Sequence, residues 1–299
     1  MMQMTLALVG AGRVGRALGR RLREQGWRIS AVVTRSEASA RRAVRFIGAG
    51  IPCAGMTRQI LASHLILIAV PDDAVNQVAQ ELARISGEEL RGKTVLHTSG
   101  ALDASALKAV KECGAAVGGM HPLQSFSGVG VPPLEGKVFA VEGDAAAVQA
   151  ARQIARSLGG SPVRIPAGKK ILYHAAAAMA AGHVLAVEEA ATQLLISLGM
   201  KRSEATRALL PLTRQVLDNF QRLGPRGAWT GPLARGDYKI VGAHLRALRE
   251  LPEEFASAYE ALNRLAARVL ARDAAGVILE LEKVSVEGKP QAKARGVNG

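Results

Sequence analysis

The chain has 299 residues, 48% of them apolar, and a formal charge of +14, which is length enough for two ordinary domains with their own cores. Aromatic residues make up only 3%, so Ala, Val and Leu carry the packing. The two cysteines, Cys53 and Cys113, lack the spacing of a metal site and make a poor disulfide framework; no metal is expected, and a reducing cytoplasm is. A charge of this sign raises nucleic acid as a partner. Arg20, Arg21, Arg84, Arg156, Arg246 and Arg249 are scattered, however, without aromatic interleaving or a zinc-finger pattern. The expected partner is instead a small anionic molecule. Leu6–Val9 is too short for a signal peptide or membrane span, and no later stretch offers 18 apolar residues without a charge, so no membrane association is expected.

In chain order, Thr5–Val9 predicts a strand and Arg13–Gln25 a helix with Val14, Leu18 and Leu22 on one face. Further strands are expected at Ile29–Val33, Leu65–Val70, Thr94–Thr98, Ala115–Gly118 and Val138–Val141, then a helix at Val148–Leu158 and a last strand at Pro162–Ile165. Short Val/Ile/Leu-rich strands alternating with helices predict an α/β fold, a doubly wound parallel sheet covered on both faces. Strand signals stop after Pro166. Lys169–Leu198 reads as helix, and its Ala-rich core, Ala175–Ala181, reads as buried because it is apolar nearly all round. Helices follow at Ser203–Leu223, ended by Gly224-Pro225, at Asp237–Leu248 and at Glu253–Leu270. The expected organisation is a dinucleotide-binding domain over 1–166, an all-helical domain over 167–287 and a flexible tail over 288–299.

Gly10-Ala11-Gly12-Arg13-Val14-Gly15 follows the first strand and opens the first helix. Gly10 permits the tight turn, Gly12 lets backbone approach a pyrophosphate, and Gly15 lets helix and strand pack closely. The helix N-terminus then presents free N–H groups and a positive dipole end to phosphate. The second strand ends in Thr34-Arg35-Ser36 with no acid to accept from a ribose 2′-hydroxyl. Arg35 suits a 2′-phosphate, and Thr34 and Ser36 can donate to it. NADP is therefore expected, with NAD as the other nicotinamide dinucleotide of the class. Ala69-Val70-Pro71 forms a corner at the end of another strand, where the cofactor crevice of such a sheet lies; Asp72 or Asp73 reads as the N-cap of the next helix.

Ser99, in His97-Thr98-Ser99-Gly100, follows a strand that ends at the same crevice. It reads as a donor to a substrate oxygen or as a turn residue. His121, in Met120-His121-Pro122, reads as a proton donor to a reduced carbonyl or imine, or as a histidine that orders its loop. Tyr173 and His174 open the long Ala-rich helix, at the junction of the two expected domains, where ligand sites are common. Arg235, in Gly231-Pro232-Leu233-Ala234-Arg235-Gly236-Asp237, suits bidentate carboxylate binding or ties down an acid, and Asp237 reads as the N-cap of the next helix.

Together these motifs resemble the Rossmann-like oxidoreductases that carry a helical domain of unknown function, DUF2520. The matching residues are Gly10–Gly15, Val70-Pro71-Asp72, His97–Gly100, His121-Pro122, Tyr173-His174-Ala175-Ala176, Gly231-Pro232 and Arg235-Gly236-Asp237. The architecture is also similar to that of 6-phosphogluconate dehydrogenase relatives such as pyrroline-carboxylate reductase and prephenate dehydrogenase. The resemblance implies a homodimer built through the helical domain and implies no particular substrate. In related dehydrogenases a helix Asn and a nearby Lys handle the substrate. Here Gly182 stands where the family pattern tends to carry Asn, and Lys169 and Lys170, which precede Tyr173, are given no catalytic role. The function expected is hydride transfer to or from a small carbonyl, imine or hydroxy acid; the alternative is a dinucleotide-binding sensor or scaffold without turnover.

Overall fold

A computed structural model describes residues 4–287. The expected tail at 288–299 lies outside them. The chain divides into two compact units, 1–183 and 184–299.

The first unit is built on one eight-stranded sheet in the order β3-β2-β1-β4-β5-β6-β7-β8. The strands are β1 (Thr5–Val9), β2 (Arg28–Thr34), β3 (Ile51–Ala54), β4 (Leu65–Ile68), β5 (Thr94–His97), β6 (Ala116–Pro122), β7 (Val138–Gly143) and β8 (Ser161–Arg164). The first six follow the strand order of the doubly wound dinucleotide fold. All pairings are parallel except β6 with β7. Along β1, Leu6 and Leu8 enter one core cluster while Ala7 and Val9 enter the other. The strand is therefore buried on both faces, as its unbroken apolar run predicts. Helices α1 (Arg13–Glu24), α2 (Glu37–Ile47), α3 (Asp72–Ser86), α4 (Lys108–Glu112) and α5 (Ala145–Ser157) connect the strands.

β3 escapes sequence reading because it is four residues long and contains Pro52. It lies on one edge of the sheet, and β8, with Pro162, lies on the other. Proline removes a donor from each edge and so suits those positions. Ser36 caps α2, its side chain accepting from the Ser39 N–H. The Asp72 or Asp73 cap is not formed: Pro71 is the N-cap of α3, and both aspartates sit in its first turn, where their charge complements the helix dipole.

The unit ends with α6 (Lys170–Ala178) and a π-helical turn, Met179–His183. The division by packing thus falls 17 residues beyond the expected boundary at 166. The reason is local: Lys170 and Tyr173, on the first turn of α6, bond to Ser99 and His121 of the sheet region. The expected burial of Ala175–Ala181 is not found within this chain, where these residues are exposed or half-buried.

The second unit contains α7 (Val184–Ser197), α8 (Arg202–Ala228), the short α9 (Pro232–Arg235), α10 (Tyr238–Leu248), α11 (Glu253–Leu270) and α12 (Ala274–Glu287). Gly224 breaks α8 with φ 72° and ψ 178°, as its Gly-Pro pair predicts. Its core is small, centred on Leu233, Val241, Ala267 and Leu281.

Candidate functional site

Parallel register brings the C-terminal parts of four strands to one end of the sheet. Val9 pairs with Ile68, Ile68 with His97, and His97 with Gly119. The segments at this end are the glycine turn after β1, the Ala69-Val70-Pro71 corner, the Ser99 turn and the His121 end of β6.

The glycine turn is shaped for a close-lying ligand. Gly10 has φ +88°, and a Cβ there would lie 2.6 Å from the Ala69 carbonyl oxygen and from Val70 Cγ1. A Cβ on Gly15 would lie 2.2 Å from the Gly10 carbonyl oxygen and 3.0 Å from Ala69 Cβ, so this glycine lets α1 seat against the turn. Gly12 differs: a Cβ there would meet nothing within 4 Å. Gly12 is also the N-cap of α1, no side chain caps that end, and no acid occupies its first turn. Ala11 completes the turn, and Arg13, exposed, and Val14 begin α1. Uncapped N–H groups beside open space fit a pyrophosphate.

At the end of β2, Arg35 is exposed and forms no ion pair among the described residues. Glu37, the nearest acid, is taken by Arg41, whose Nε and Nη2 donate to it at 3.0 and 2.5 Å. Thr34 Oγ1 donates to the Ser36 carbonyl at 2.8 Å, and Ser36 Oγ donates to Ser39 Oγ at 3.0 Å. The hydroxyls thus shape the turn, and Arg35 supplies its available charge. A 2′-phosphate fits this pattern better than a 2′-hydroxyl, which needs an acid.

Ser99, His121, Tyr173 and His174 come together. His121 Nδ1 and the Tyr173 hydroxyl are 2.8 Å apart. The His121 and His174 rings meet edge to face, with centroids 5.9 Å apart. Both rings crowd Gly100, where a Cβ would lie 2.5 Å from His174 Cδ2 and 2.9 Å from His121 Nε2; glycine is needed there for close approach rather than for an unusual φ. Ser99 is buried, and its Oγ accepts from the Ala101 and Leu102 N–H groups at 3.1 and 2.9 Å. It therefore does the work of a turn residue, the second of its two expected roles.

Arg235 belongs to the second unit. Its side chain is 63% exposed, and its Nε donates to Asp237 at 3.0 Å. It thus ties down an acid two residues away. Asp237 in turn makes no side-chain cap on α10, because its carboxylate faces that guanidinium.

Three residues of the site region were given no role of their own in sequence reading. Lys170 is 2% exposed, and its Nζ donates to the Ser99 carbonyl at 2.6 Å and lies 3.9 Å from Glu142 Oε1. Glu142 is 6% exposed, and His97 is fully buried. The available signal was a lone glutamate in the otherwise apolar run Val138–Glu142, in a strand whose alternate neighbours had to be buried. Burial holds Lys170 down at about 8, against the opposing pull of Glu142, Asp72 and Asp103. Burial pushes the Glu142 carboxyl up. It pushes His97 down to about 4, helped by the Lys170 charge, and His121 down to about 4, helped by Lys170 and His174. Tyr173 is raised to about 12 by burial. At neutral pH the His121–Tyr173 pair is therefore uncharged and shares a hydrogen.

The sheet order and glycine turn define an α/β protein of the dinucleotide-binding fold with a helical C-terminal region. The chain joins a Rossmann-like domain, matched over residues 1–122, to a DUF2520 domain, a domain of unknown function matched over residues 137–266. No curated protein matches the sequence. Among solved structures, a candidate NADP oxidoreductase of Bacteroides fragilis, BF3122, is similar with a TM-score of 0.71 at 23% identity, over 88% of this chain and 97% of that one. An Aspergillus terreus reductive aminase, solved with NADPH and ethyl-5-oxohexanoate, gives 0.61 at 22% identity over 96% and 95%. A Streptomyces aurantiacus imine reductase gives 0.63 at 20% over 92% and 99%. At these identities the likeness establishes the fold.

Proposed function

We propose that this protein is an NADP-dependent oxidoreductase that transfers a hydride to or from a small carbonyl, imine or hydroxy-acid substrate. The observation that carries the reading is the meeting of two features at one end of one sheet. An uncapped, open glycine turn leaves β1, and an uncharged His121–Tyr173 pair stands at the end of β6. The reductive aminase and imine reductase of the same fold support the choice of C=O and C=N substrates. A nicotinamide dinucleotide supplies the hydride when bound.

The chain supplies the rest. The α1 N-terminus binds the pyrophosphate, and Arg35 binds the 2′-phosphate. Val70 and Pro71 wall the crevice. Reduction of C=O or C=N also needs a proton at the oxygen or nitrogen. The Tyr173 hydroxyl and the His121 imidazole lie in contact and are half-buried, so a proton given to substrate by one is replaced from the other, which takes its own from solvent. Neither charged form is populated at neutral pH, so the transfer runs from neutral donors.

Under the same reading the protein is a cytoplasmic homodimer, with a second copy covering the apolar stripe of α8. Leu212, Val216, Phe220 and Leu223 recur there at helical spacing and are 43–62% exposed. The helical run Lys170–Ser197 has the length and mean hydropathy, 1.3, of a membrane span. Its first turn is bonded into the sheet unit, however, and Glu188 and Glu189 lie within the run, as suits a helix of a folded domain.

The test is a fluorescence titration with NADPH and NADH side by side. NADPH should bind more tightly, and Arg35→Ala should remove most of that preference, about tenfold to a hundredfold for one charge-assisted phosphate contact. Failure of both nucleotides to bind at micromolar concentration would overturn the proposal.

A further inference from the structure

Three buried titratable side chains, each from a different element, grip one turn. His97 of β5 accepts from the Ser99 N–H at its Nδ1 and donates from its Nε2 to the Asp103 carbonyl, both at 3.2 Å. Lys170 of α6 donates to the Ser99 carbonyl at 2.6 Å. Glu142 of β7 accepts from the Ala104 N–H at 3.1 Å. The turn from Ser99 to Ala104 is thus held at both ends, and within it Ser99 Oγ takes two more N–H groups. Gly100, in this turn, is the residue that the His121 and His174 rings crowd.

The space for this arrangement is provided by β6. A Cβ on Gly119 would lie 2.5 Å from Glu142 Oε1, 2.7 Å from Lys170 Nζ and 3.0 Å from His97 Cε1. Glu142 Oε1 has no hydrogen-bond partner among the described residues, so Lys170, 3.9 Å away, is the cation that faces it. A lysine that worked on substrate would need its ammonium in the open site. This ammonium is buried and bonded to main chain.

We propose that Lys170 and Glu142 form a buried ionic strut that positions the Ser99–Ala104 turn beneath His121 and His174. Lys170 is a positioning residue that acts through the turn. The turn's importance for reaction rests on the oxidoreductase reading; the strut itself does not. Removing one member leaves the other as an uncompensated buried charge, whereas removing both can be nearly neutral. The groups that face the Lys170 ammonium are Glu142 of β7, Asp72 of α3, Asp103 of the turn, His97 of β5 and His121 of β6.

The experiment compares Lys170→Met with the double variant Lys170→Met/Glu142→Gln, in which the amide can still accept from the Ala104 N–H. Thermal unfolding, amide hydrogen exchange and NMR titration of the histidine rings are measured without nucleotide. Lys170→Met alone should lower Tm, and the double variant should regain most of the loss. In the double variant, exchange at Ala101, Leu102 and Ala104 should still be at least about tenfold faster than in the parent, and His97 and His121 should titrate at higher pH because the cation is gone. Unchanged exchange and unchanged histidine titration in a stable double variant would overturn the proposal. So would exchange that accelerates equally across the whole sheet. A chain that bound neither nucleotide would remove the proposed reaction and leave these readouts intact.

Discussion

The sheet unit and the helical unit solve the burial problem differently. β1 and β4 are buried at every position, and the strands feed two core clusters, one on each face of the sheet. The helical unit has one small cluster and leaves Leu212, Leu217, Phe220 and Leu223 each more than half exposed. A doubly wound sheet closes its own core, because its crossover helices cover both faces. Helices that each carry an apolar stripe close theirs only when every stripe meets another. The first unit therefore covers both faces of its sheet, while the second leaves an apolar stripe of α8 exposed.

The contrast is broken most severely at Gly15. Gly15→Val drives a side chain into the Gly10 carbonyl, which backbone cannot yield cheaply. The expected loss is about 3 kcal/mol or more of sheet-unit stability, read by chemical denaturation. Gly12→Val sharpens the point: with nothing within 4 Å, it should leave the fold in place and weaken dinucleotide binding. A normal denaturation midpoint for Gly15→Val would refute the packing argument.

A smaller effect separates the units by pH. His97 and His121 both belong to the sheet unit and both have folded-state values of about 4, below the ordinary 6.5. As pH falls below 6.5 the unfolded chain takes up protons that the folded chain does not. The stability is fully present above pH 6.5 and is lost as pH falls through about 4. The slope is about 1.4 kcal/mol per pH unit for each histidine, discounted at His121 for its partial exposure. Denaturation midpoints at pH 7.5 and 5 should fall in that order; equal midpoints would mean that these rings protonate freely.

The smallest effect on the single chain concerns the α8 stripe. Leu212→Ser with Phe220→Ser should change the stability of the isolated chain by no more than about 0.5 kcal/mol per site, as exposed substitutions do. In the proposed homodimer it should abolish association at micromolar concentration, which sedimentation would read. A parent protein that sediments as a monomer would remove the second copy as the occupant of that stripe.

The glycine turn was legible in sequence because each glycine answers a local steric demand set by a strand, a turn and a helix in immediate succession. Arg35 was legible for the same reason, as the residue that follows a strand end lacking an acid. The strands were found with ends shifted by a few residues: β6 runs to Pro122, where the apolar pattern stopped at Gly118. β3 was missed because four residues with a proline carry too little periodicity. The aspartates after Pro71 were misplaced by one or two positions, since capping turns on backbone angles that composition does not set.

Sequence alone determined the α/β class, the cofactor turn and the switch to helices after Pro166, because these follow from hydrophobic period and local backbone sterics. Only the tertiary structure decided that Lys170 is buried, that it faces Glu142 across Gly119, and that α6 packs with the sheet. Those facts depend on residues from β5, β6, β7 and α6 meeting in space, separated by up to 73 positions from His97 to Lys170. Tertiary structure likewise assigned Ser99 to its turn and Arg235 to Asp237. A polar side chain takes whichever partner the packed chain brings within reach, and buried groups cannot remain without one at low cost.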